Sequence, residues 1–566
     1  MREISTGDVL TVPNVIRNMI PKRIVNDWMT NSWGWKQKDR LRSSKRHMKG
    51  EHKPNRNRST LDTGINNFTK PPCTAPLLNP THPSNEDNIS NNFPTSYRYS
   101  RFYIKSKEPL QLCGTLEVSI EARNIKNEPK LSGGDYFWIW LYTKDKLQAS
   151  AAADEIIDHL NGTYTARFQL HWSGKVDIAV SLVHSREEVS ILKRNREKFP
   201  ARCAYQGKFQ SRNVTKITLC HITQQFYLPP TPRPVNRAFC NFTDKVTGFP
   251  WYCMKPDGLP CDSYIAHAVT DDRGTKLAGL MMSEEEMRLF SGPNLISSTT
   301  ESVEVRTKDK KTKSECTTDL PDCYLGITPR SPNHVAGFYY KDEWNSLVCK
   351  NRVFKTTETM KCLQNKTLHF WGDSTLRQWY EYLVAVLPFN ETKGTNVKFG
   401  PHVAVNEVNN VTLHYRHHGY PIRSLWTPVV DIYYVPNLID AIRDTGDDIV
   451  LSLWAHFTAT SLNYYQNRWE AIKQSILRLK TRKPGTRVII KSANTREKTS
   501  LDHDSWYAWE LDKLMRKIIY GVSDVTIIDV WDMTVGHRTG YEIHPAREVI
   551  SQEIGMLLSF ICPDNV

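Results

Sequence analysis

The stretch from Lys366 to Leu387, KTLHFWGDSTLRQWYEYLVAVL, decides the fold of the C-terminal half of the chain. It joins a short apolar strand, through a Gly-Asp-Ser turn at residues 372–374, to a segment whose apolar residues recur at helical spacing. Strand-like and helix-like segments then alternate to the end, as in DDIVLSLW, RWEAIKQSILRLKTRK and RVIIKSA. Such alternation implies crossover connections, and it predicts a three-layer, flavodoxin-like α/β domain over residues 340–566.

Upstream, residues 96–230 read as short strands separated by turn residues. TLEVSIEAR alternates apolar and polar residues, DYFWIWLYT is rich in β-forming residues, and NGTYTARFQLHWSGKVDIAVSLVH reads as two strands around a Ser-Gly turn. This spacing predicts an antiparallel β-sandwich of immunoglobulin-like or filamin-like kind. A chain of 566 residues is too long for one core, so a multidomain protein is expected.

Two segments lack the pattern of a packed domain. Residues 231–339 hold five cysteines and a Lys-rich run, which predicts a Cys-rich, disulfide-stapled connector with at most one short helix, SEEEMRLF. Residues 1–95 are basic and rich in Asn, Pro and Ser, which predicts a disordered arm. Much of the formal net charge of +15 lies in that arm, between Lys36 and Arg58. A solvated arm explains this charge, so we expect no nucleic-acid partner.

The cysteines and sequons indicate an oxidising compartment. Twelve cysteines are spread over predicted loops and element ends, without the paired spacing of a zinc ribbon or redox site, so disulfides are expected. Nine Asn-x-Ser/Thr sequons agree with this. Three lie in or near the arm, at Asn57, Asn67 and Asn88, and the six predicted glycosylation sites are Asn161, Asn213, Asn241, Asn365, Asn390 and Asn410.

The first thirty residues have no apolar stretch of signal-peptide length, and no later segment could span a bilayer. The cysteines nevertheless favour the secretory pathway, either the Golgi lumen or secretion. We therefore expect that the true start, with its signal or anchor, is missing from this sequence.

Ser374 is the candidate nucleophile. It follows the first strand of the α/β region at once and opens a helix, which places its hydroxyl at the carboxyl edge of the sheet near the first N–H groups of that helix. Gly372 permits a tight turn, and Asp373 can organise it through bonds to backbone amides. A Gly-Asp-Ser tripeptide is common, however, and Ser374 could equally serve as a helix N-cap.

His544 is the candidate general base for Ser374. It lies in GYEIHPAREVI, after the last predicted strand and before the last long helix. This topology brings His544 to the same sheet edge as Ser374, where it can take the hydroxyl proton as a general base.

Longer blocks carry a family resemblance. HFWGDSTLRQWYEYL, LSLWAHF and DVWDMTVGHRTGYEIHPAREVISQEIGMLLSFIC resemble the PC-esterase domain of the neurexophilin and PC-esterase (NXPE) family. GGDYFWIWLY and NGTYTARFQLHWSGKVDIAVSLVH resemble the neurexophilin-like, Ig-like domain of that family. The resemblance covers about residues 96–566.

The resemblance implies an SGNH-like fold whose relatives esterify or de-esterify glycan hydroxyls, including carbohydrate O-acetyltransferases of the secretory pathway. It implies catalytic roles for Ser374 and His544, no bound cofactor, and acetyl-CoA as the co-substrate of a transferase. The acceptor would be a glycan or glycoprotein, with sialylated glycans as one class.

The chain departs from the SGNH pattern at the triad acid. The position three residues before His544 is Tyr541 instead of Asp, and the nearest carboxylate is Glu542. Asp532 and Asp529, at the end of the preceding strand, are the alternative acids, because a triad is defined by geometry.

Oxyanion and substrate groups are less plainly marked. The Gly-x-Asn element expected after DDIVLSLW reads Trp-Ala-His, so His456 is the polar candidate there, beside Gly372 and Asp373 of the first block. Arg377, one turn into the first helix, could bind an anionic glycan or a donor phosphate. His414, His417 and His418 do not share one strand face, so no metal site is expected.

Two functions therefore remain open. One is an acyl-transfer or acyl-ester enzyme that works through Ser374 and His544. The other is a catalytically degenerate secreted or cell-surface glycoprotein that binds a partner through its neurexophilin-like domain. The oligomeric state is left open.

Overall fold

The structure is a computed structural model, and it describes residues 93–144, 148–198, 203, 205–224, 238–270, 282–290, 295–296, 302–307, 319–327, 335–394, 399–443, 447–496, 504–537 and 542–562. Several sequence predictions lie outside the described residues: those on residues 1–92 with their three sequons, on the Lys-rich run and on Tyr541.

The N-terminal part of the described chain is rich in strands. In chain order it contains β1 (Arg101–Ile104), β2 (Leu110–Gln111), β3 (Thr115–Glu121), β4 (Tyr136–Tyr142), β5 (Ser150–Ala152), β6 (Glu155–Asp158), β7 (Thr163–Gln169), β8 (Gly174–His184) and helix α1 (Arg186–Lys198).

The middle part consists of shorter elements. They are β9 (Tyr205–Ser211), β10 (Val214–His221), β11 (Phe239–Asn241), β12 (Tyr252–Met254), β13 (Tyr264–Val269), α2 (Glu284–Leu289), β14 (Leu295–Ile296), β15 (Ser302–Arg306), β16 (Gly337–Tyr340) and β17 (Glu343–Ser346). Helix α2 coincides with the predicted SEEEMRLF helix, and it begins with a capping box between Ser283 and Glu286.

The C-terminal part alternates strands and helices. Its elements are α3 (Thr356–Leu363), β18 (Thr367–Gly372), α4 (Ser374–Val386), β19 (Asn390–Lys393), β20 (His402–Asn406), β21 (Val411–His417), β22 (Thr427–Pro428), α5 (Val435–Ala441), β23 (Asp447–Ser452), α6 (Leu462–Arg482), β24 (Arg487–Lys491), α7 (Ser505–Ile519), β25 (Val525–Ile528), α8 (Trp531–Gly536) and α9 (Arg547–Ile561).

Two sheets in the N-terminal region share one hydrophobic core. The first has the antiparallel order β1-β3-β7-β6, and the second has the order β17-β16-β5-β4-β8-β15-β2 with β14 beside β8. Alternate residues of β3, such as Val118, and residues of β4 and β8, such as Ile139 and Val180, fill the space between them. The region is therefore sheet-rich, as the residue pattern predicts.

A third, six-stranded antiparallel sheet has the order β11-β12-β10-β9-β13-β22 and its own core around Trp251 and Tyr264. The sheets cross the expected boundary at residue 230. Strands β9 and β10, before it, pair with strands of the Cys-rich segment, while β14–β17, after it, join the second sheet of the N-terminal region. Strands of two to five residues are too short for periodicity to reveal, and only their pairing defines them.

The disulfides expected from the sequence are present in the described chain. Four link Cys220 with Cys253, Cys240 with Cys261, Cys323 with Cys349, and Cys362 with Cys562. The first joins directly opposed residues of β10 and β12, and the last ties α3 to the end of α9 across 200 positions of sequence. The four bonds join positions that are 21 to 200 residues apart in sequence.

The C-terminal sheet confirms the predicted mixed α/β region. Its order is β19-β20-β21-β18-β23-β24-β25, in which the last five strands run parallel and the first two are antiparallel additions. Successive residues of the central strands enter different cores: Val450 packs with α4 and α9 on one face, and Ile449 packs with α6 and α7 on the other. The result is a three-layer domain.

A buried histidine joins the sheet-rich region to the α/β region. His184, at the end of β8, places Nε2 2.7 Å from the Asp504 carboxylate at the start of α7 and Nδ1 3.7 Å from Glu188. Burial opposes a charge on this ring, but the two carboxylates outweigh burial and raise the pKa of His184.

We expect this pair to make stability depend on pH. Because the pKa is raised in the folded state, the stabilisation is complete below the unfolded histidine pKa of about 6.5 and is lost as pH rises through the raised value. Denaturant unfolding of wild type and of His184→Gln at a series of pH values measures this. The difference in free energy of unfolding should shrink as pH rises; a difference independent of pH would contradict the assignment.

Candidate active site at the carboxyl edge of the sheet

The site lies where the strand order reverses. In the order β21-β18-β23-β24-β25, the chain leaves β18 toward one side of the sheet and later returns to place β23 on its other side. Ligand sites of such sheets form at this switch point, outside the carboxyl ends of the strands. Ser374 follows β18, and residues 453–456 follow β23, so both loops meet there.

Asp373 organises the turn between β18 and α4. Its carboxylate is fully buried, and Oδ1 accepts hydrogen bonds from the Thr375 N–H (2.9 Å) and hydroxyl (2.7 Å). Oδ2 accepts from the backbone N–H groups of Trp454 (3.1 Å) and Ala455 (2.9 Å). One carboxylate thus caps α4 and ties its start to the loop after β23.

Gly372 is required by close packing. A Cβ atom at this position would lie 2.3 Å from the carbonyl oxygen of Ser452 and 2.9 Å from the Leu376 side chain. Both groups are held in place, since Gly372 and Ser452 are paired in the parallel sheet and Leu376 is buried in the core. Any side chain at this position would push the turn at residues 372–374 away from β23.

Ser374 and His544 are in hydrogen-bond contact. The distance between Ser374 Oγ and His544 Nε2 is 2.8 Å, although the residues are 170 positions apart in sequence. Ser374 is partly buried at the first position of α4, and His544 is exposed in the segment between α8 and α9. When Nε2 is unprotonated it accepts the Ser374 proton, as a general base must.

The two candidate triad acids make other contacts. Asp532 accepts a hydrogen bond from the Ala336 N–H at 2.8 Å, and Asp529 pairs with Arg516 at 2.8 Å and caps Trp531. Burial, together with the charge of the neighbouring Asp529, raises the pKa of the Asp532 carboxyl group and so disfavours its ionised form. The structure therefore brings neither Asp529 nor Asp532 to His544. Glu542 is exposed to solvent.

Two nitrogen atoms at this edge, one in the backbone and one in a histidine ring, are candidate hydrogen-bond donors to a ligand oxygen. The Ser374 N–H opens α4 and has no hydrogen-bond partner within the described part of the chain. His456 Nδ1 lies 3.0 Å from Nε2 of the buried His418. Burial lowers the pKa of His418 to about 4 and that of His456 well below its usual value, so both rings are neutral at pH 7. If His418 donates this bond, the proton of His456 resides on Nε2 and is available to an oxygen.

Arg377 lies on α4 one turn beyond Ser374 and is largely buried. Its Nε donates to Glu381 at 2.9 Å, while Nη1 is buried without a partner among the described residues. His417 is paired with Gly372 across β21 and β18, whereas His414 stacks against His369 on the other face of the sheet. The three histidines considered as metal ligands therefore do not converge.

Two residues that the sequence did not single out contact the segment of His544. Asn494 donates to the carbonyl oxygen of Ile543 at 3.1 Å, and Gln378 donates to that of Pro545 at 3.2 Å. A sequence signal exists only for Asn494, a polar residue just beyond the carboxyl end of a buried strand.

The six predicted glycosylation sites in the described chain are all exposed to solvent. Asn161 and Asn241 each accept a bond from the N–H of the residue two positions later. None of the helices in the described residues combines the length and apolar character that a bilayer crossing requires.

The fold and the site define a multidomain protein, in which a sheet-rich region precedes a mixed α/β domain with a serine and a histidine in contact at the carboxyl edge of its sheet. A family described as "NXPE family member 4-like, C-terminal domain" matches residues 344–562. The neurexophilin family matches residues 106–279. This chain belongs to the NXPE family. Its domains and its disulfides fit a protein of the secretory pathway.

Proposed function

We propose that this protein is a serine-dependent acyl-ester enzyme of the secretory pathway that works as a glycan O-acetyltransferase or O-acetylesterase. The observation that carries the proposal is the 2.8 Å contact between Ser374 Oγ and His544 Nε2 at the switch point of the sheet. Helix capping does not account for Ser374, because the N-cap of α4 is Asp373.

The reaction has two steps. Ser374 Oγ attacks the acetyl carbonyl carbon while His544 Nε2 takes its proton, and the bond to the leaving group breaks as His544 returns that proton to it. A glycan hydroxyl or a water molecule then attacks the acyl-serine ester, giving its proton to His544, and Ser374 Oγ recovers a proton as it leaves. With acetyl-CoA as donor, the leaving group is the thiol and the glycan is the acceptor.

Electrostatic support for the tetrahedral intermediate would come from the Ser374 N–H and from His456 Nε2. The Ser374 N–H lies at the positive end of the α4 dipole. The His456 ring is neutral, so its Nε2 can donate a hydrogen bond to the oxyanion but brings no positive charge. Asp373 supports both groups at once, because its carboxylate binds the α4 turn and the loop that leads to His456.

The proposed acceptor is an acidic sugar such as sialic acid. Arg377 places a guanidinium one helical turn from Ser374, and its Nη1 has no hydrogen-bond partner among the described residues. Arg377 can pair with a carboxylate of the acceptor or with a phosphate of the donor.

We also propose finer fold assignments. The parallel strand order of the α/β domain, with its reversal beside Ser374, supports an SGNH-like, flavodoxin-like domain. Two sheets packed over one core at residues 101–184, closed by later strands, support an Ig-like sandwich.

The second candidate is a catalytically degenerate binding glycoprotein of the cell surface or secreted space. The neurexophilin match over residues 106–279 supports it, since this region contains none of the residues of the serine site. In that case the α/β domain would serve as a scaffold.

Labelling separates the two functions. We expect a fluorophosphonate probe to modify wild type at Ser374, detected by peptide mass, and acetyl-ester substrates to be turned over. Ser374→Ala should lose both activities. The control Ser523→Ala, an exposed serine in the turn before β25, should keep them. A folded wild type that is as inert as Ser374→Ala would exclude the enzyme.

A further inference from the structure

We propose that Asn494 and Gln378 are positioning residues that hold the His544 imidazole against Ser374, with Lys491 fixing the orientation of the Asn494 amide. This inference rests on the proposed acyl-ester function. The need for such residues is structural, because His544 belongs to neither a helix nor a strand. The path of the backbone at residues 542–546 is therefore not set by a helix or strand, and the bonds that hold it contribute to the position of the ring.

The backbone is held on both sides of His544. The Ile543 carbonyl accepts from Asn494 Nδ2 at 3.1 Å, and the Pro545 carbonyl accepts from Gln378 Nε2 at 3.2 Å. The Ile543 carbonyl belongs to the peptide unit just before His544, and the Pro545 carbonyl belongs to the peptide unit one residue further on, so the two bonds hold the backbone on both sides of the imidazole. A displacement of about 1 Å at a catalytic group is enough to cost about 100-fold in rate.

The two side chains come from rigid elements of the site itself. Gln378 lies on α4, four residues after Ser374, so one helix carries both the nucleophile and a bond to the segment of the base. Asn494 is fully buried, three residues beyond the end of β24. The geometry of the pair is therefore set by the sheet and by α4.

Lys491 determines which way the Asn494 amide faces. Lys491 Nζ donates to Asn494 Oδ1 at 3.0 Å, and Nδ2 donates to the carbonyl oxygens of Thr495 (2.8 Å) and Ile543. Rotating the amide by half a turn would set its NH2 group against the ammonium group and its oxygen against two carbonyl oxygens. Only the observed orientation satisfies all three partners.

A buried charge network keeps Lys491 in place. Lys491 is 2% exposed, and the buried Glu553 faces it while accepting a hydrogen bond from the Trp379 indole N–H of α4. The ammonium also lies 5.9 Å from the Trp379 ring centroid. Polar groups thus connect α4, which carries Ser374, to residues 542–546, which carry His544.

The hydrogen bonds of Asn494 could serve protein stability alone rather than the position of His544. Double-mutant cycles with His544 distinguish these two roles. The variants are Asn494→Ala, Asn494→Asp, which keeps the size and the acceptor for Lys491 but cannot donate to Ile543, and Gln378→Met. The matched control is Asn406→Ala, because Asn406 is also buried and donates to a backbone carbonyl, that of Pro388, at 2.6 Å.

We expect Asn494→Ala and Asn494→Asp to slow fluorophosphonate labelling of Ser374 by about 10–100-fold at unchanged fold, while Asn406→Ala labels at the wild-type rate. Combined with His544→Ala, the Asn494 variants should cause no further loss, because they act only through His544. Wild-type labelling by Asn494→Asp, or losses that multiply with His544→Ala, would overturn the inference while leaving the enzyme intact.

Hydrogen exchange gives a readout that does not need catalysis. The backbone N–H groups of residues 542–544, 546 and 547 should exchange about 10–100-fold faster in Asn494→Ala and Gln378→Met than in wild type or Asn406→Ala. Unchanged exchange would overturn the positioning role even if labelling fell. If wild type is never labelled but exchange rises as expected, the proposed function fails and the positioning of the segment stands.

Discussion

Replacing Ser374, His544 or both with alanine is expected to lower acetyl-ester turnover by the same factor, at least about 10³-fold. In the proposed mechanism the two residues act as one unit, since His544 Nε2, 2.8 Å from Ser374 Oγ, takes the serine proton, and His544 has no nucleophile to activate without Ser374. The residual rate would come from oxyanion donors and substrate binding, which neither substitution removes.

Steady-state rates of the three variants on one acetyl ester, with thermal unfolding as a check on folding, test this expectation. Ser523→Ala serves as the matched control because it removes an exposed serine far from the carboxyl edge. Losses that multiply in the double variant would mean that Ser374 and His544 act independently, and that the contact between them is not catalytic.

The second large effect is expected at Asp373, where alanine should cost about 3–5 kcal/mol of folding free energy. The carboxylate accepts four hydrogen bonds from Thr375, Trp454 and Ala455, all buried, and each donor would be left without its partner. Activity should fall as well, because the α4 turn and the loop that leads to His456 would no longer be tied together.

Ser461→Ala separates this role from ordinary helix capping. Ser461 is also a helix N-cap, but it accepts one bond, from the Tyr464 N–H, so its loss should cost about 1 kcal/mol. Denaturant unfolding of both variants measures the difference. If Asp373→Ala costs no more than Ser461→Ala, the link to the loop after β23 contributes nothing to stability.

The central contact of the site could be predicted from the sequence, and its surroundings could not. Ser374 follows the first strand of the α/β region and His544 precedes the last long helix, and a parallel sheet brings such loops to one edge whatever the details of packing. Asp529 and Asp532 also lie at that edge, yet Arg516 and the Ala336 N–H bind their carboxylates. The direction of a side chain depends on partners distant in sequence.

The same limit explains the Cys-rich segment. Its strands β11 and β12 have three residues each, too few to show a period, and β22 arrives from the α/β region to complete their sheet. The cysteines predicted disulfides there, but the register that sets Cys220 opposite Cys253 exists only once the strands pair.

The sequence by itself determined the order of strands and helices in the α/β domain, the turn that presents Ser374, and the family of the chain, because these follow from local periodicity and from contiguous motifs. The tertiary structure alone decided which groups surround the pair. The neutrality of His418 and His456 comes from burial, the tie through Asp373 spans 82 positions to Ala455, and the bond from Asn494 to Ile543 spans 49. Burial and hydrogen bonds of this kind form only between elements that folding brings together.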